Sequence, residues 1–192
     1  MPKGTPLSTE AVVAKAMEMA RADGIDSVGY NGLARELGIK PQSMYRYVAN
    51  LRELRVHLLR ANLGALVEEI EAATSGLPPA KALREYAVSL YDACHANPLY
   101  YEALTLMHRY GVVEDMRDQL FRLTNLSLEP IRAISGSEQT AARRHQLFMA
   151  VNLGYAQMSQ TAFLPPSLHD DRNAFIASID ELLARFLKKA IL

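Results

Sequence analysis

The sequence predicts an all-α protein. Apolar residues recur with the 3.6-residue period of a helix along most of the 192-residue chain, and the period-2 alternation that marks strands is almost missing. Hydrophobic residues make up 49% of the sequence, which is enough to form a core and argues against disorder. The nine prolines and ten glycines cluster between the periodic segments, where they would separate helices.

The first helix is predicted over residues 8–23. Ser8 or Thr9 can cap its N-terminus, and Gly24 stops it. A short second helix follows at about 30–37, and Gly38 ends it.

A third helix of about two turns is predicted from Pro41 to near Tyr47. Proline suits the first helical position because its missing N–H would be unbonded there anyway. Asn50 is a good N-cap for the fourth helix, and Glu53 stands where a capping-box partner reaches back. That helix should run to about residue 73.

Five longer helices are predicted in the remainder of the chain. Proline and glycine separate them, and Pro130 should kink or end the third of the five. Their approximate ranges are 79–96, 98–108, 112–134, 137–163 and 171–190.

Residues 24–54 contain the parts of a helix-turn-helix unit. Such a unit needs a short helix, a tight turn that usually contains glycine, and a second helix with polar residues facing outward. Gly38 can adopt the left-handed backbone of the turn. The alternative is a plain three-helix packing unit that never touches DNA. The predicted apolar anchors are Leu33, Ala34, Leu37, Ile39, Met44 and Val48.

The outward face of the predicted third helix carries Gln42, Ser43, Arg46 and Tyr47, with Tyr45 at its edge. Glutamine can pair bidentately with adenine and arginine with guanine in the major groove. Serine and tyrosine hydroxyls can bond phosphates and fix the register. The pattern therefore predicts DNA recognition by this helix.

Several short motifs in this region form a specific combination. AMEM at 16–19 is followed by GI at 24–25, LARELGI at 33–39, MYRYV at 44–48 and NLREL at 50–54. Together they resemble the DNA-binding head of the TetR (tetracycline-repressor) family of bacterial regulators. The resemblance covers about the first 55 residues.

Three positions depart from the family pattern. Gly29 replaces the usual Thr or Ser, Lys40 replaces a frequent Ser, and Leu51 replaces a very common phosphate-contacting Lys. We expect these changes to weaken binding to the phosphate backbone. Three cations, Arg52, Arg55 and Lys40, would partly compensate. Residues and resemblance together predict DNA contacts by Gly29, Asn31, Lys40, Pro41, Gln42, Ser43, Tyr45, Arg46 and Tyr47.

The resemblance implies a three-helix head, residues 1–54, and an all-helical body, residues 55–192, that binds a small molecule and dimerises. Residues 86–106 and 147–163 look like one common subclass of that body. A pocket between helices needs large apolar side chains and a few polar groups. The predicted ligand-binding residues are Tyr86, Tyr101, Met107, His108, Asn152 and Tyr155, and weaker candidates are Tyr91, Met149, Met158 and Phe163.

Asn152 stands out because it lies between Val151 and Leu153 in an apolar helix. Its amide could contact a ligand, or it could bond a neighbouring helix or a second subunit. For the aromatic residues and methionines, an ordinary core role is the alternative to ligand contact.

The resemblance implies that the last two helices form a homodimer, and the apolar pattern agrees, although one chain could also bury these stripes by itself. Phe148, Val151, Tyr155 and Ala162 recur at helical spacing, and two such helices from each of two chains make a four-helix bundle. A two-fold dimer would place its recognition helices about 34 Å apart or more, and so predicts a palindromic operator. The second stripe consists of Ile176, Ile179, Leu182, Leu183 and Phe186.

Other classes of function find little support in the sequence. The single cysteine, Cys94, allows no intramolecular disulfide, and the five histidines lack metal-binding spacing. No phosphate-binding loop or nucleophile motif occurs, so we expect no cofactor and no enzymatic activity. A helical enzyme or carrier with a vestigial head remains the alternative.

Charge and hydropathy are consistent with a regulator. Residues 1–60 carry nine basic and six acidic side chains, whereas residues 61–192 carry twelve and fifteen. This modest asymmetry fits a small DNA-reading head on a neutral-to-acidic body. The N-terminus lacks an apolar signal stretch, and we expect a soluble cytoplasmic protein. The resemblance to the TetR family implies a repressor that a small molecule releases from a palindromic operator.

Overall fold

The computed structural model describes residues 7–159 and 172–188. No strand occurs in these two ranges, so the all-α prediction is confirmed. The helices are α1 Thr9–Asp23, α2 Tyr30–Glu36, α3 Leu51–Thr74, α4 Pro79–Ala96, α5 Pro98–Thr105, α6 Arg117–Ala133, α7 Glu138–Ser159 and α8 Arg172–Leu187.

The chain divides into two compact units. The first unit comprises Met1–Gly64 and Asn97–Asp118, and the second comprises Ala65–Ala96 and Gln119–Leu192. Residues 97–118, which lie in the predicted C-terminal domain, belong to the same compact unit as the N-terminal residues. The domain division after residue 54 stays a prediction.

The first unit packs α1, α2 and α5 around an apolar core. The core contains residues from the inward faces of these helices and from the start of α3. Two residues of the loop between α1 and α2 are also buried in it. Burial of such side chains is the main stabilising contribution, at about 25 cal/mol per Å² of apolar surface. The core includes Val12, Ala16, Ala20, Ile25, Val28, Leu33, Ala34, Leu54 and Leu58.

Helix α1 begins and ends where the sequence predicts. The Ser8 hydroxyl accepts a hydrogen bond from the backbone N–H of Ala11 at 3.2 Å. Gly24 closes the helix with φ +82°, and its N–H donates to the carbonyl of Ala20. A 3-10 helix not predicted from the sequence, Ile25–Ser27, then connects α1 to α2.

The third predicted helix differs from the expectation in type. Residues Pro41–Arg46 form a 3-10 helix rather than an α-helix. The N–H of Ser43 donates to the carbonyl of Lys40, and the N–H of Tyr47 donates to that of Met44, both with 3-10 spacing. Pro41 lies at the start and supplies no donor. We call residues 41–46 the recognition segment.

Helix α3 has a modified form of the predicted capping box. Asn50 Oδ1 accepts from the N–H of Glu53 at 2.9 Å, as expected. The Glu53 carboxylate reaches back to the N–H of Ala49, one residue before the position of a standard box.

The second unit packs α4 against α7 and α8. Its core combines aliphatic and aromatic side chains, and the rings of Tyr86 and Phe148 lie 5.7 Å apart between centroids. Tyr91 stacks on Phe175 at 4.6 Å. Core members from the five helices of this unit include Leu66, Val67, Ile70, Leu83, Tyr86, Leu90, Leu123, Ile131, Phe148, Phe175, Ile179 and Leu183.

Two predicted helices differ at their ends from the structure. Helix α5 stops at Thr105, and a 3-10 turn, Glu114–Met116, precedes α6. Pro130 does not end α6, which continues to Ala133.

Candidate nucleic-acid interface

The helix-turn-helix is anchored by the predicted apolar residues. Leu33, Ala34 and Met44 are fully buried, and Val48 is only 1% exposed. Leu37 and Ile39 are half-buried. These residues hold α2 and the recognition segment against the core of the first unit.

The turn at Gly38 is a Schellman motif. The N–H of Ile39 donates to the carbonyl of Ala34 at 3.0 Å, and the N–H of Gly38 donates to that of Arg35 at 3.1 Å. Gly38 has φ +66°, a conformation that side chains with a Cβ disfavour. The sequence predicted the left-handed glycine, and the hydrogen bonds define the direction in which the chain leaves α2.

The structure places the nine predicted DNA contacts on and beside the recognition segment and the start of α2. Three of them, Gly29, Ser43 and Tyr47, are half-buried. The exposed residues are Asn31, Lys40, Pro41, Gln42, Tyr45 and Arg46. Amide, guanidinium and phenol groups are therefore available to a ligand from one short element.

Tyr45 is the most exposed aromatic residue of this face, at 64%. Its ring meets that of Tyr30 edge-on, with centroids 5.3 Å apart and an interplanar angle of 87°. The Tyr30 hydroxyl donates to the carbonyl of Val48 at 2.9 Å. Burial, followed by the nearby Tyr45, raises the pKa of Tyr30, so its hydroxyl stays a donor.

Tyr30 is a further candidate residue, which the sequence pattern marks only as the start of a helix. It supports Tyr45 from α2 and fixes the end of the recognition segment through Val48. Helical spacing gives no signal for such a contact, because it joins residues on two separate elements.

The two arginines expected to strengthen phosphate binding also have partners within the protein. Arg52 donates to the carbonyl of Gly111 at 3.0 Å and to Asp115 Oδ2 at 2.6 Å. The Arg55 guanidinium lies 4.4 Å from the centroid of the Tyr110 ring. Lys40, the third cation named for this role, is exposed beside the recognition segment. Arg52 is exposed as well, whereas Arg55 is half-buried.

The predicted ligand-binding residues are divided between the two units. Tyr101, Met107 and His108 belong to the first unit, where Met107 is buried and His108 exposed. Tyr86, Asn152 and Tyr155 belong to the second unit. The weaker candidate Phe163 and the dimer residue Ala162 lie outside the described residues.

Tyr86 lies in a buried polar cluster of the second unit. Its hydroxyl is 3.7 Å from Met149 Sδ, and the Ser127 hydroxyl lies 3.1 Å from His145 Nε2. Burial raises the pKa of Tyr86 and lowers that of His145, with a smaller contribution from Arg132 to the latter. Near neutral pH the cluster consists of uncharged donors and acceptors.

The Asn152 amide is satisfied on one side only. Its Nδ2 donates to the carbonyl of Phe148 at 2.8 Å, in its own helix. Its Oδ1 is buried without a hydrogen-bond partner, and the residue is 3% exposed. An orphaned buried acceptor costs about 1–3 kcal/mol. No hydrogen bond to a neighbouring helix of the described residues satisfies this oxygen.

Cys94 behaves as a core residue. It is 1% exposed, and burial raises the pKa of its thiol to about 12. The thiolate, which is the reactive form, is therefore suppressed at neutral pH.

Neither a metal site nor a membrane span emerges from the described ranges. Within residues 7–159 and 172–188, no cluster of three or more His, Cys, Asp or Glu side chains could hold a metal ion. In the same ranges, no helix combines the length and the apolar character needed to cross a bilayer.

Sequence comparison finds an HTH-type regulator among the relatives of the chain. No family model matches the chain. YobS of Bacillus subtilis strain 168, described as an uncharacterized HTH-type transcriptional regulator, is 28% identical over 136 residues. The matched region covers 70% of this chain and 70% of YobS.

Structure comparison gives the fold. SCO7222, described as a TetR from Streptomyces coelicolor, matches with a TM-score of 0.66 and 23% identity over 95% of this chain and 98% of its own. BioQ, solved with its natural double-stranded DNA operator, matches with a TM-score of 0.62 and 21% identity over 93% and 99%. The chain therefore has the fold of the TetR family of transcriptional regulators and is related in sequence to HTH-type regulators.

Proposed function

We propose that the protein is a sequence-specific DNA-binding transcriptional regulator and has no enzymatic activity. The observation that carries the proposal is the recognition segment, which buries Met44 while Gln42, Tyr45 and Arg46 face solvent. The sequence relative YobS is an HTH-type regulator by its description, and the structural neighbour BioQ was solved on its operator.

Base reading is assigned to Gln42 and Arg46. Both are exposed side chains whose donors and acceptors match base edges in the major groove, and each bidentate contact contributes about 1–3 kcal/mol of discrimination. Contacts to phosphates or sugars are assigned to Lys40, Ser43, Tyr45, Tyr47 and Asn31. Gly29, which has no side chain, would let the protein backbone approach the DNA closely.

The test is binding to duplex DNA that carries the promoter region of the protein's own gene, at a stated salt concentration. Wild-type protein should prefer this duplex to a scrambled one. Arg46→Ala and Gln42→Ala should each lose roughly 5- to 150-fold of that preference, which corresponds to one base contact. Arg35→Ala, a change of another exposed arginine, on α2, serves as the control.

Absent or sequence-independent binding by the wild type would refute the regulatory function. Unchanged preference in both variants would instead move base reading to other residues.

We further propose that the regulator is a homodimeric repressor released by a small molecule. Phe148, Ile179 and Leu183 of the predicted stripes are buried within the second unit. Another set on α7 and α8 stays accessible and lines a shallow groove of about 310 Å³. This set, which we call the α7/α8 face, consists of Leu147, Val151, Tyr155 and Leu182.

The effector site is proposed in the second unit, where Tyr86, Asn152 and Tyr155 lie. The unpartnered Asn152 Oδ1 would accept a hydrogen bond from the effector. An effector that binds better to the state in which the heads do not fit the operator shifts the equilibrium toward that state. Release of the promoter duplex by a molecule that co-purifies with the protein would test this step.

A further inference from the structure

Residues 102–115 hold the loop that leads into the helix-turn-helix. Glu102 Oε2 accepts a hydrogen bond from the backbone N–H of Ile25 at 2.8 Å. Its other carboxylate oxygen would lie 2.9 Å from a Cβ built on Gly24, whose φ is +82°. Gly24 is therefore favoured for its left-handed backbone, and its missing Cβ leaves room for the Glu102 carboxylate.

Asp26 is held from the same side. Arg109 Nη1 donates to Asp26 Oδ2 at 2.8 Å, and the Tyr110 hydroxyl donates to Asp26 Oδ1. Burial, followed by the bond to Asp26, raises the pKa of Tyr110 to about 12, so the hydroxyl remains a donor at neutral pH. The Arg55 guanidinium lies over the ring of Tyr110.

Two arginines of α3 hold the far end of this segment. Arg60 donates to the carbonyl of Asp115 at 2.8 Å, and Arg52 donates to the carboxylate of the same residue. Arg52 also bonds the carbonyl of Gly111. All of these contacts lie within the first unit.

We infer that Glu102 and Asp26 are positioning residues for operator binding. They fix the 3-10 helix Ile25–Ser27, whose buried Ile25 and the following Val28 set where α2 begins. A displacement of α2 carries the recognition segment with it, because the two are joined by the Schellman turn at Gly38. This inference rests on the proposed function and adds residues that do not touch DNA.

The test measures operator binding by four variants. Glu102→Ala and Tyr110→Phe each remove one hydrogen bond to the loop, and we expect operator affinity to fall roughly tenfold and threefold respectively. Glu102→Gln keeps a carbonyl oxygen for the N–H of Ile25 and should bind within about twofold of wild type. Asp180→Ala breaks the ion pair with Arg84 in the second unit and serves as the control, with unchanged binding.

Two further measurements separate positioning from loss of fold or of phosphate contact. The thermal unfolding transition and far-UV circular dichroism report the folded fraction of each variant. The slope of log Kd against log salt should stay at the wild-type value, because neither carboxylate contacts a phosphate.

The outcomes discriminate between the two proposals. Wild-type affinity in both Glu102→Ala and Tyr110→Phe overturns the positioning role while the regulatory function stands. A defect in Glu102→Gln equal to that in Glu102→Ala also overturns it, because the hydrogen bond would then be irrelevant. If the wild type itself does not distinguish the promoter duplex from a scrambled one, the proposed function fails first.

Discussion

Polar side chains in this protein fall into two groups: some bond the backbone, and others are exposed to solvent. Tyr30, Glu53 and Glu102 bond backbone groups and thereby fix loops and helix ends. Gln42 and Arg46 are exposed on the recognition segment, where their polar groups can reach a ligand. Asn152 belongs to neither group, because half of its amide is buried without a partner.

Two substitutions of Tyr30 test whether its ring holds Tyr45 in position. Tyr30→Phe loses the bond to Val48 and should destabilise the protein by about 1 kcal/mol, while the ring contact with Tyr45 persists. Tyr30→Ala also removes the ring contact and should cost about 2–4 kcal/mol and weaken operator binding. Denaturant unfolding and duplex titration measure the two effects. Equal operator binding by Tyr30→Ala and wild type would exclude a supporting role for this ring.

Asn152 allows a test of the effector site. Asn152→Leu replaces the amide by an apolar group of similar size, so it removes the orphaned acceptor and should be neutral or stabilising by about 1 kcal/mol. The same variant should lose its response to the effector. Urea unfolding gives the stability, and effector-induced release of duplex gives the response. A variant that is destabilised by several kcal/mol would show that the amide is needed for packing alone.

Helices α1 and α2 are limited by local signals that hold in the structure. Ser8, Gly24 and Gly38 begin or end α1 and α2 as expected. The recognition segment is the exception, because its Pro41 and its tight hydrogen bonds give a 3-10 helix. A 3-10 helix is longer per residue than an α-helix, so its side chains are spaced differently toward a groove.

Gly38 and Gly64 form a matched pair for the contribution of the turn. A Cβ would meet no atom within 4 Å at either position, but only Gly38 has a positive φ. Gly38→Ala should therefore cost about 1–2 kcal/mol of stability through backbone strain alone. Gly64→Ala, within α3, should stabilise by up to about 1 kcal/mol. Thermal unfolding of the two variants checks the difference, and equal shifts would contradict the argument.

The molecule consists of two compact units with different surface features. In the first unit, Arg52, Arg60 and Arg109 form contacts within the protein. All three side chains remain exposed, and exposed ion pairs contribute little to stability, so these contacts do not exclude phosphate binding. In the second unit, the α7/α8 face remains accessible.

If the protein dimerises through the α7/α8 face, a charged side chain introduced there should disrupt the dimer. Leu147 is 49% exposed, so Leu147→Glu should leave the fold intact and convert the dimer to a monomer. Gln146→Glu, a change at the neighbouring exposed position, is the control. Light scattering at micromolar concentration measures the mass. A dimeric Leu147→Glu variant would place the interface elsewhere. A monomeric wild type would contradict dimerisation itself.

Much of this architecture can be read from local sequence signals. The periodicity, the caps at Ser8 and Asn50 and the glycine at 38 act between residues close in the chain, so they predict most helix limits and the buried anchors Leu33, Ala34 and Met44. The placement of the nine predicted DNA-contact residues follows from the same local pattern. Their roles in binding remain predictions.

Other features depend on contacts between residues distant in the sequence. The pairs Tyr30–Tyr45, Glu102–Ile25 and Arg52–Asp115 have no common period or motif, so spacing could not reveal them. For the same reason spacing could not reveal that Arg52 pairs with Asp115, because a guanidinium binds whichever carboxylate folding brings near it. The phosphate role of Arg52 stays a prediction. Local propensity fixes where helices begin and end, whereas long-range packing fixes which polar side chains remain free to act.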